Sequence, residues 1–196
     1  MNGPPDFDSM YLEGTPPWDI GRPQPALLGL ANRGAFVGHV LDVGCGTGEH
    51  AILAAQLGLE ATGIDSSPKA IEIARSKARK RGVSVRFDVG DALRLDELGA
   101  TFDTVIDSGL FHVFDDEARD MFVRSLHAVM LPGSRYYLLC FSDLAPGVMG
   151  PRRITQQEIR SSFGEGWEVE KIDPSNMAVT LSPDGMPAWG ATITRT

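Results

Sequence analysis

Cysteine is scarce in this sequence: only Cys45 and Cys140 occur in 196 residues, far apart and with no ligand-type spacing around them. That excludes a disulfide framework and a zinc module, and it fits a reduced, cytoplasmic protein. Long apolar runs are missing too. Nothing approaches the ~20 residues of a membrane helix, and the opening MNGPPDFD has neither the basic nor the apolar region of a secretory leader. Positive charge is in short supply, with 18 Lys and Arg against 26 Asp and Glu, a net charge of −8 and a pI near 4.9. Such a surface repels phosphate backbones, so neither nucleic acid nor membrane is expected as a partner. The one basic run, KARKRG at 77–82, falls where a helix should end and suits the negative end of its dipole. Repeats and low-complexity segments are also lacking. The length fits one domain with a core of its own, here divided into an N-terminal segment with a helix over 1–35 and a core over 36–196.

What is present alternates between two hydrophobic periods. Short apolar runs lie at 36–44, 59–65, 83–89, 102–109 and 134–141, and helix-like stretches separate them. The stretch 47–58 has apolar positions 51, 52, 54 and 55 and closes on Gly58. The next, 67–81, opens with Ser67 as N-cap and Pro68 at the first helical position. Over 116–131, Ala118, Met121, Phe122, Leu126, Val129 and Met130 make one stripe behind three acidic residues at the positive helix end. A short helix starts at Thr155, where Thr155 and Glu158 have capping-box spacing. Strand and helix in alternation predict parallel βαβ units in a doubly wound α/β sheet with helices on both faces. The last two runs, 167–173 and 189–195, have no full helix between them, which predicts an antiparallel ending to a seven-stranded, mostly parallel sheet.

The stretch VLDVGCGTGEHA, 40–51, is a strand that ends in Gly44-x-Gly46-x-Gly48 and runs directly into a helix. A dinucleotide fingerprint needs G-x-G-x-x-G, and Glu49 stands where the third glycine belongs. A carboxylate there has the wrong sign for a pyrophosphate at a helix N-terminus, which argues against NAD.

With its preceding Asp42, DVGCGTG resembles motif I of the class I S-adenosylmethionine-dependent methyltransferases. The resemblance continues in order through GID (63–65), GDA (90–92), FDTVIDSGLFH (102–112) and LPG (131–133), covering about residues 38–142. It implies a Rossmann-like fold and S-adenosyl-L-methionine as cofactor, with S-adenosyl-L-homocysteine as product. The cofactor-binding residues it implies are Trp18, Asp42, Gly44, Cys45, Gly46, Thr47, Gly48, Asp65, Ser66, Asp91, Ala92 and Asp107. Asp65, at a strand's carboxyl tip 21 residues after Gly44, suits the two vicinal ribose hydroxyls. Asp91 resembles the acceptor of the adenine amino group, with the Ala92 amide beside it; a turn-forming Asp is the plainer reading. Asp42 either faces the methionine end or braces the loop. No metal constellation is visible.

Methyl transfer from a sulfonium is an in-line displacement, so the protein mainly aligns the partners and excludes water. His112 is the candidate general base for a phenol, enol or ring N–H, and a histidine merely bonded to backbone is the equal alternative. His39 falls within a strand, His127 within a helix, and His50 near the loop but turned outward. DSGL stands where amino-methylating nucleic-acid enzymes carry NPPY or DPPY, which favours a small-molecule acceptor. The stretch MYLEGTPPWDIGRPQP, 10–25, holds four prolines, two aromatics and two glycines, a composition that suits neither a helix nor a central strand. Its proline-flanked Trp-Asp resembles the thiol, thiopurine and tellurite branch and the small actinobacterial benzoquinone-type or heterocyclic-toxin methyltransferases, detoxifying enzymes of aromatic acceptors. The resemblance makes it a lid, lined by Tyr11 and Trp18 and pinned by Asp19 and Arg22; a core anchor is the other reading of Trp18. Phe111, Phe141 and Met149 would shape an apolar pocket with the 141–153 loop. The expected protein is thus a small-molecule O-, N- or S-methyltransferase, monomer or homodimer, with a non-catalytic cofactor-binding module as the alternative.

Overall fold

The computed structural model describes residues 6–147 and 150–196. The elements run α1 (Phe7–Glu13), α2 (Pro25–Asn32), β1 (His39–Val43), α3 (Glu49–Gln56), β2 (Glu60–Asp65), α4 (Pro68–Arg81), β3 (Arg86–Val89), β4 (Phe102–Ser108), α5 (Asp116–Val129), β5 (Met130–Phe141), α6 (Gln156–Ser162), β6 (Trp167–Val179) and β7 (Ser182–Arg195), with short 3₁₀ turns at Ala92–Leu98 and Phe111–Val113. The sheet order is β3-β2-β1-β4-β5-β7-β6. β1 to β5 pair in parallel, and β7 runs antiparallel to both its neighbours. This is the expected doubly wound sheet with an antiparallel ending. The strand order reverses between β1 and β4, which places a ligand crevice at their carboxyl ends.

Period-two alternation sorts the core onto two faces. On β5, Tyr136, Leu138 and Cys140 pack with α5 and α6, while Tyr137, Leu139 and Phe141 pack with α2 and α3. Leu41 and Val43 of β1 join the first face and Val40 the second. Ile71, Ala74 and Ala78 of α4 close a third cluster with Ala51, Ile52 and Phe87. Both cysteines are free and buried.

The helix signals hold. The Ser67 hydroxyl accepts from the Ala70 N–H, and Thr155 and Glu158 complete the capping box. Three expectations need correction. Met10–Glu13, the start of the proline-rich stretch, is the end of helix α1, capped by Asp6; the prolines begin only at Pro16, and Pro25 opens α2. Met121 is 40% exposed and lies off the buried stripe of α5, where Val123 is buried. The strand pattern underestimated the last hairpin, since β6 and β7 extend to Val179 and Ser182. No described helix is long and apolar enough to cross a membrane.

Candidate functional site

Three carboxylates stand at the carboxyl tips of β1, β2 and β4. Asp65 ends β2 and accepts from the Gly46 N–H at 2.8 Å and the Ser67 N–H at 2.9 Å, one on each oxygen. A carboxylate has more acceptor positions than these two N–H groups take, and a vicinal diol can use what remains. Asp42, 1% exposed, accepts from the Ala51 N–H at 3.1 Å. Burial first, and then the carboxylates of Asp65, Asp107 and Glu49, push Asp42 up to about 7. Asp107 is fully buried and accepts from the Leu110 and Phe111 N–H groups and from the Tyr136 hydroxyl at 2.8 Å. Burial raises it to about 7 as well, against those hydrogen bonds. The described contacts of Asp107 are all internal, and they brace the turn at 109–111.

The glycine loop makes close approaches that exclude side chains. A Cβ at Gly46, whose φ is +51°, would lie 2.7 Å from the Tyr11 hydroxyl oxygen. One at Gly48 would meet the Phe87 ring at 2.6 Å. The carboxylate that replaces the third glycine turns away from the loop. Glu49 is gripped by both Arg81 nitrogens, at 2.7 and 3.0 Å, and by Lys77 at 2.9 Å. Burial pushes its carboxyl up, but Arg81 and Lys77 outweigh that and hold it below the usual range. Part of the basic run thus neutralises the loop's own carboxylate.

The segment before α2 lies on this loop. Tyr11 is buried, its hydroxyl accepts from the Trp18 indole N–H at 2.9 Å, and Phe7 and Tyr11 both meet Trp18 edge to face. Asp8 accepts from the Ser67 hydroxyl at 2.6 Å and the Lys69 N–H at 2.9 Å, which ties α1 to the start of α4. Asp19 accepts from the Thr47 hydroxyl at 2.8 Å and faces Lys77 at 3.8 Å. Tyr11, Trp18 and Asp19 therefore gather where expected. Arg22 does not: it is exposed and has no hydrogen bond or ion pair among the described residues.

Other expected residues are dispersed around this centre. Asp91 caps the 3₁₀ turn through the Leu93 N–H, with Ala92 next to it. Ser66 is exposed at the tip of β2, and the buried Cys45 donates its N–H to the Ile64 carbonyl. Phe111 is fully buried against Phe163, and Phe141 lies against His112 at 4.8 Å between ring centres. Met149 lies outside the described residues. His112 is 3% exposed; its Nδ1 accepts from the Phe141 N–H at 2.9 Å, so the ring hydrogen sits on Nε2, facing Gly109. Burial, then the Arg153 guanidinium, lower it to about 3. His50 is not turned outward. It is 7% exposed and accepts from the Gln24 N–H, because α3 rolls that face against α2. Asp8, Gln24 and Tyr136 were missed; each works through a contact across 26 or more residues, which local spacing does not signal. A separate polar recess of about 250 Å³ between α5 and α6 is lined by residues that include Asp116, Arg119, Arg152 and Glu158. Its charges pair with one another, and it holds none of the strand-tip carboxylates.

Comparison with known proteins agrees with this arrangement. A family profile described as a methyltransferase domain matches residues 40–133. The chain is 37% identical to 2-heptyl-1-hydroxyquinolin-4(1H)-one methyltransferase of Mycobacteroides abscessus, over 94% of this chain and 85% of that one. Among solved structures, one described as "Conversion of a Disulfide Bond into a Thioacetal Group during Echinomycin Biosynthesis" superposes with a TM-score of 0.86 at 38% identity, covering 96% of this chain and 91% of that one. Magnesium protoporphyrin IX methyltransferase from Synechocystis PCC 6803 with bound SAM shares the fold, with a TM-score of 0.68 at 22% identity, over 87% and 76% of the two chains.

Proposed function

The chain belongs to the class I S-adenosylmethionine-dependent methyltransferases, and from that premise we propose that its small-molecule acceptor is aromatic or heterocyclic. The observation that carries this reading is the similarity to the hydroxyquinolinone methyltransferase, which extends along 94% of the chain and well beyond the glycine-loop core. The aromatic lid of Phe7, Tyr11 and Trp18 supports it, because flat π-faces favour both an aromatic acceptor and a nearby cation.

The residues fit the cofactor. Asp65 keeps acceptor capacity for the ribose hydroxyls, the glycines at 44, 46 and 48 let the loop backbone turn tightly without side chains, and Asp91 with the Ala92 N–H takes the adenine edge. Asp42 supplies negative charge to the methionine end. Bound there, S-adenosylmethionine supplies a methyl group already activated by its sulfonium. The chain contributes alignment and exclusion of water: Tyr11, Trp18 and Asp19 hold the lid on the loop, and Asp107 braces the turn that carries Phe111 and His112. His112, with Nδ1 committed to Phe141, holds β5 to that turn, and the acceptor enters with its own proton already lost or readily lost to water. The net charge of −8 supports a small acceptor over a nucleic acid, and two buried thiols suit a cytoplasmic setting.

A panel of alkyl-hydroxyquinolinones, phenols, thiols and thiopurines, incubated with S-adenosylmethionine and read by mass spectrometry, tests this. Methylated hydroxyquinolinone is the expected product. Turnover of thiols alone would replace the reading with a sulfur acceptor, which the similarity to the echinomycin-related structure favours as the second reading.

A further inference from the structure

Gln24 sits between two prolines and is 3% exposed. Pro23 and Pro25 lack N–H groups, and the proline that follows sets Gln24 at φ −60°, ψ 132°, an extended conformation that aims its side chain across the sheet edge. There the ladder of the last hairpin is irregular: Met177 pairs with Met186, Val179 pairs with Ser182, and Ala178 is skipped. The Gln24 carboxamide satisfies both backbone groups of Ala178. Its Oε1 accepts from the Ala178 N–H at 2.8 Å, and its Nε2 donates to the Ala178 carbonyl at 2.9 Å. Two residues on, the Thr180 N–H donates to the Pro17 carbonyl at 2.8 Å. Since β6 is the outermost strand, the lid covers the end of an open sheet edge at Ala178 and Thr180. The Gln24 N–H in turn donates to His50 Nε2 at 3.1 Å, and His50 Nδ1 lies 3.8 Å from Asp42.

We propose that Gln24 is a positioning residue for methyl transfer, joining the lid on one side to the cofactor loop through His50 and on the other to the β6–β7 hairpin. Besides Gln24 and Pro17, the lid is tied by Asp8 to the start of α4 and by Asp19 to Thr47, and both of these reach only the cofactor side. Gln24 and Pro17 alone among these ties reach the hairpin, whose Met177 packs beside Gly109 and His112. Losing the carboxamide therefore leaves the Pro17 carbonyl as the one remaining tie of this set to the hairpin and loosens the lid on the acceptor side, while its hold on the cofactor loop remains. The inference rests on the small-molecule methyl-transfer reading for its kinetic arm only.

The test compares the unaltered protein with Gln24→Met and Gln24→Glu. For Gln24→Met, kcat is expected to fall at least tenfold while the calorimetric Kd for S-adenosylhomocysteine stays within about threefold. Limited proteolysis between residues 13 and 25 should accelerate at least tenfold, with the melting temperature of the remaining core nearly unchanged. Gln24→Glu keeps the arm that accepts from Ala178 but sets a carboxylate oxygen against the Ala178 carbonyl, so it should lose activity at neutral pH and recover toward the parent as the carboxyl is protonated in acid, which also covers a Gln24→Met chain that fails to fold. Unchanged kcat and cleavage would overturn the proposal, as would a loss of cofactor affinity and melting temperature in step with activity. If the unaltered protein methylates nothing in the panel, the acceptor reading fails, and proteolysis with and without S-adenosylhomocysteine still decides the role of Gln24.

Discussion

The proposed cofactor cradle at the strand tips and the proposed lid that rests on it touch at Gly46, yet they are held by opposite means. The cradle consists of backbone and carboxylates fixed by the sheet: Asp65 is bonded to Gly46 and Ser67, Asp42 to Ala51, and Asp107 to three donors. Its position follows from β1, β2 and β4, whose ladders with one another are continuous and whose central side chains are buried. The lid has one short helix and a proline-rich run, and side chains reaching across the chain secure it. A region held by the sheet opens only with the fold, whereas a region held by a few side-chain bonds opens locally. The cradle should thus govern cofactor affinity and the lid should govern turnover.

The sharpest way to break that division is Asp65→Ala. Two charge-assisted hydrogen bonds at roughly 1.5–3 kcal/mol each would be lost, so calorimetry should show S-adenosylhomocysteine binding weakened about 100-fold or more. A loss below threefold would remove Asp65 from the ribose site. Next comes Trp18→Ala, which leaves the Tyr11 hydroxyl without its donor. Acceptor turnover should fall roughly tenfold while the protein stays folded; an unfolded variant would make Trp18 the core anchor instead. Glu49→Gln weakens the link from α3 to Lys77 and Arg81 and should cost about 1 kcal/mol in urea unfolding near pH 7. Because the Glu49 carboxyl is held low in the folded state, its contribution is present above the usual Glu range and lost as pH falls through the lowered value. The variant and the parent should therefore converge in acid.

A smaller effect separates the two forms of the cofactor. Asp42, raised to about 7 by burial and neighbouring carboxylates, becomes charged as pH rises through neutrality. The sulfonium should benefit, so S-adenosylmethionine should gain roughly threefold over S-adenosylhomocysteine between pH 6 and 8, and Asp42→Asn should flatten that trend. The smallest expectation is an absence. With His112 lowered to about 3, kcat should show no step from this histidine between pH 5 and 9. A step near neutrality that His112→Asn abolishes would restore it as a base.

Much of this was legible in residue order because it depends on local chemistry. The caps at Ser67 and Thr155 act within a few residues of where they stand, and the glycine turn and Asp65 are marked by their place at the end of a strand. The prolines of 10–25 correctly marked an irregular segment but hid the end of α1, whose cap is Asp6. His50 was misjudged because helical spacing gives its angle on α3 and not the arrival of α2 against that face. Glu49 was expected to face the loop as a bare carboxylate, and its pairing with Lys77 and Arg81 became visible only once α4 lay alongside.

By itself the sequence determined the alternation of strand and helix, the antiparallel ending, the bare glycine turn and the acidic tips, since each follows from side-chain period, backbone freedom or charge at a single place. The tertiary structure alone decided that Gln24 completes the skipped residue of a hairpin 154 positions away. It also decided that Tyr11 presses on Gly46 and that burial at crossing strands moves Asp42 and His112 away from their ordinary protonation. Those properties depend on which surfaces meet and how much water they exclude, and neither is set until the chain has closed on itself.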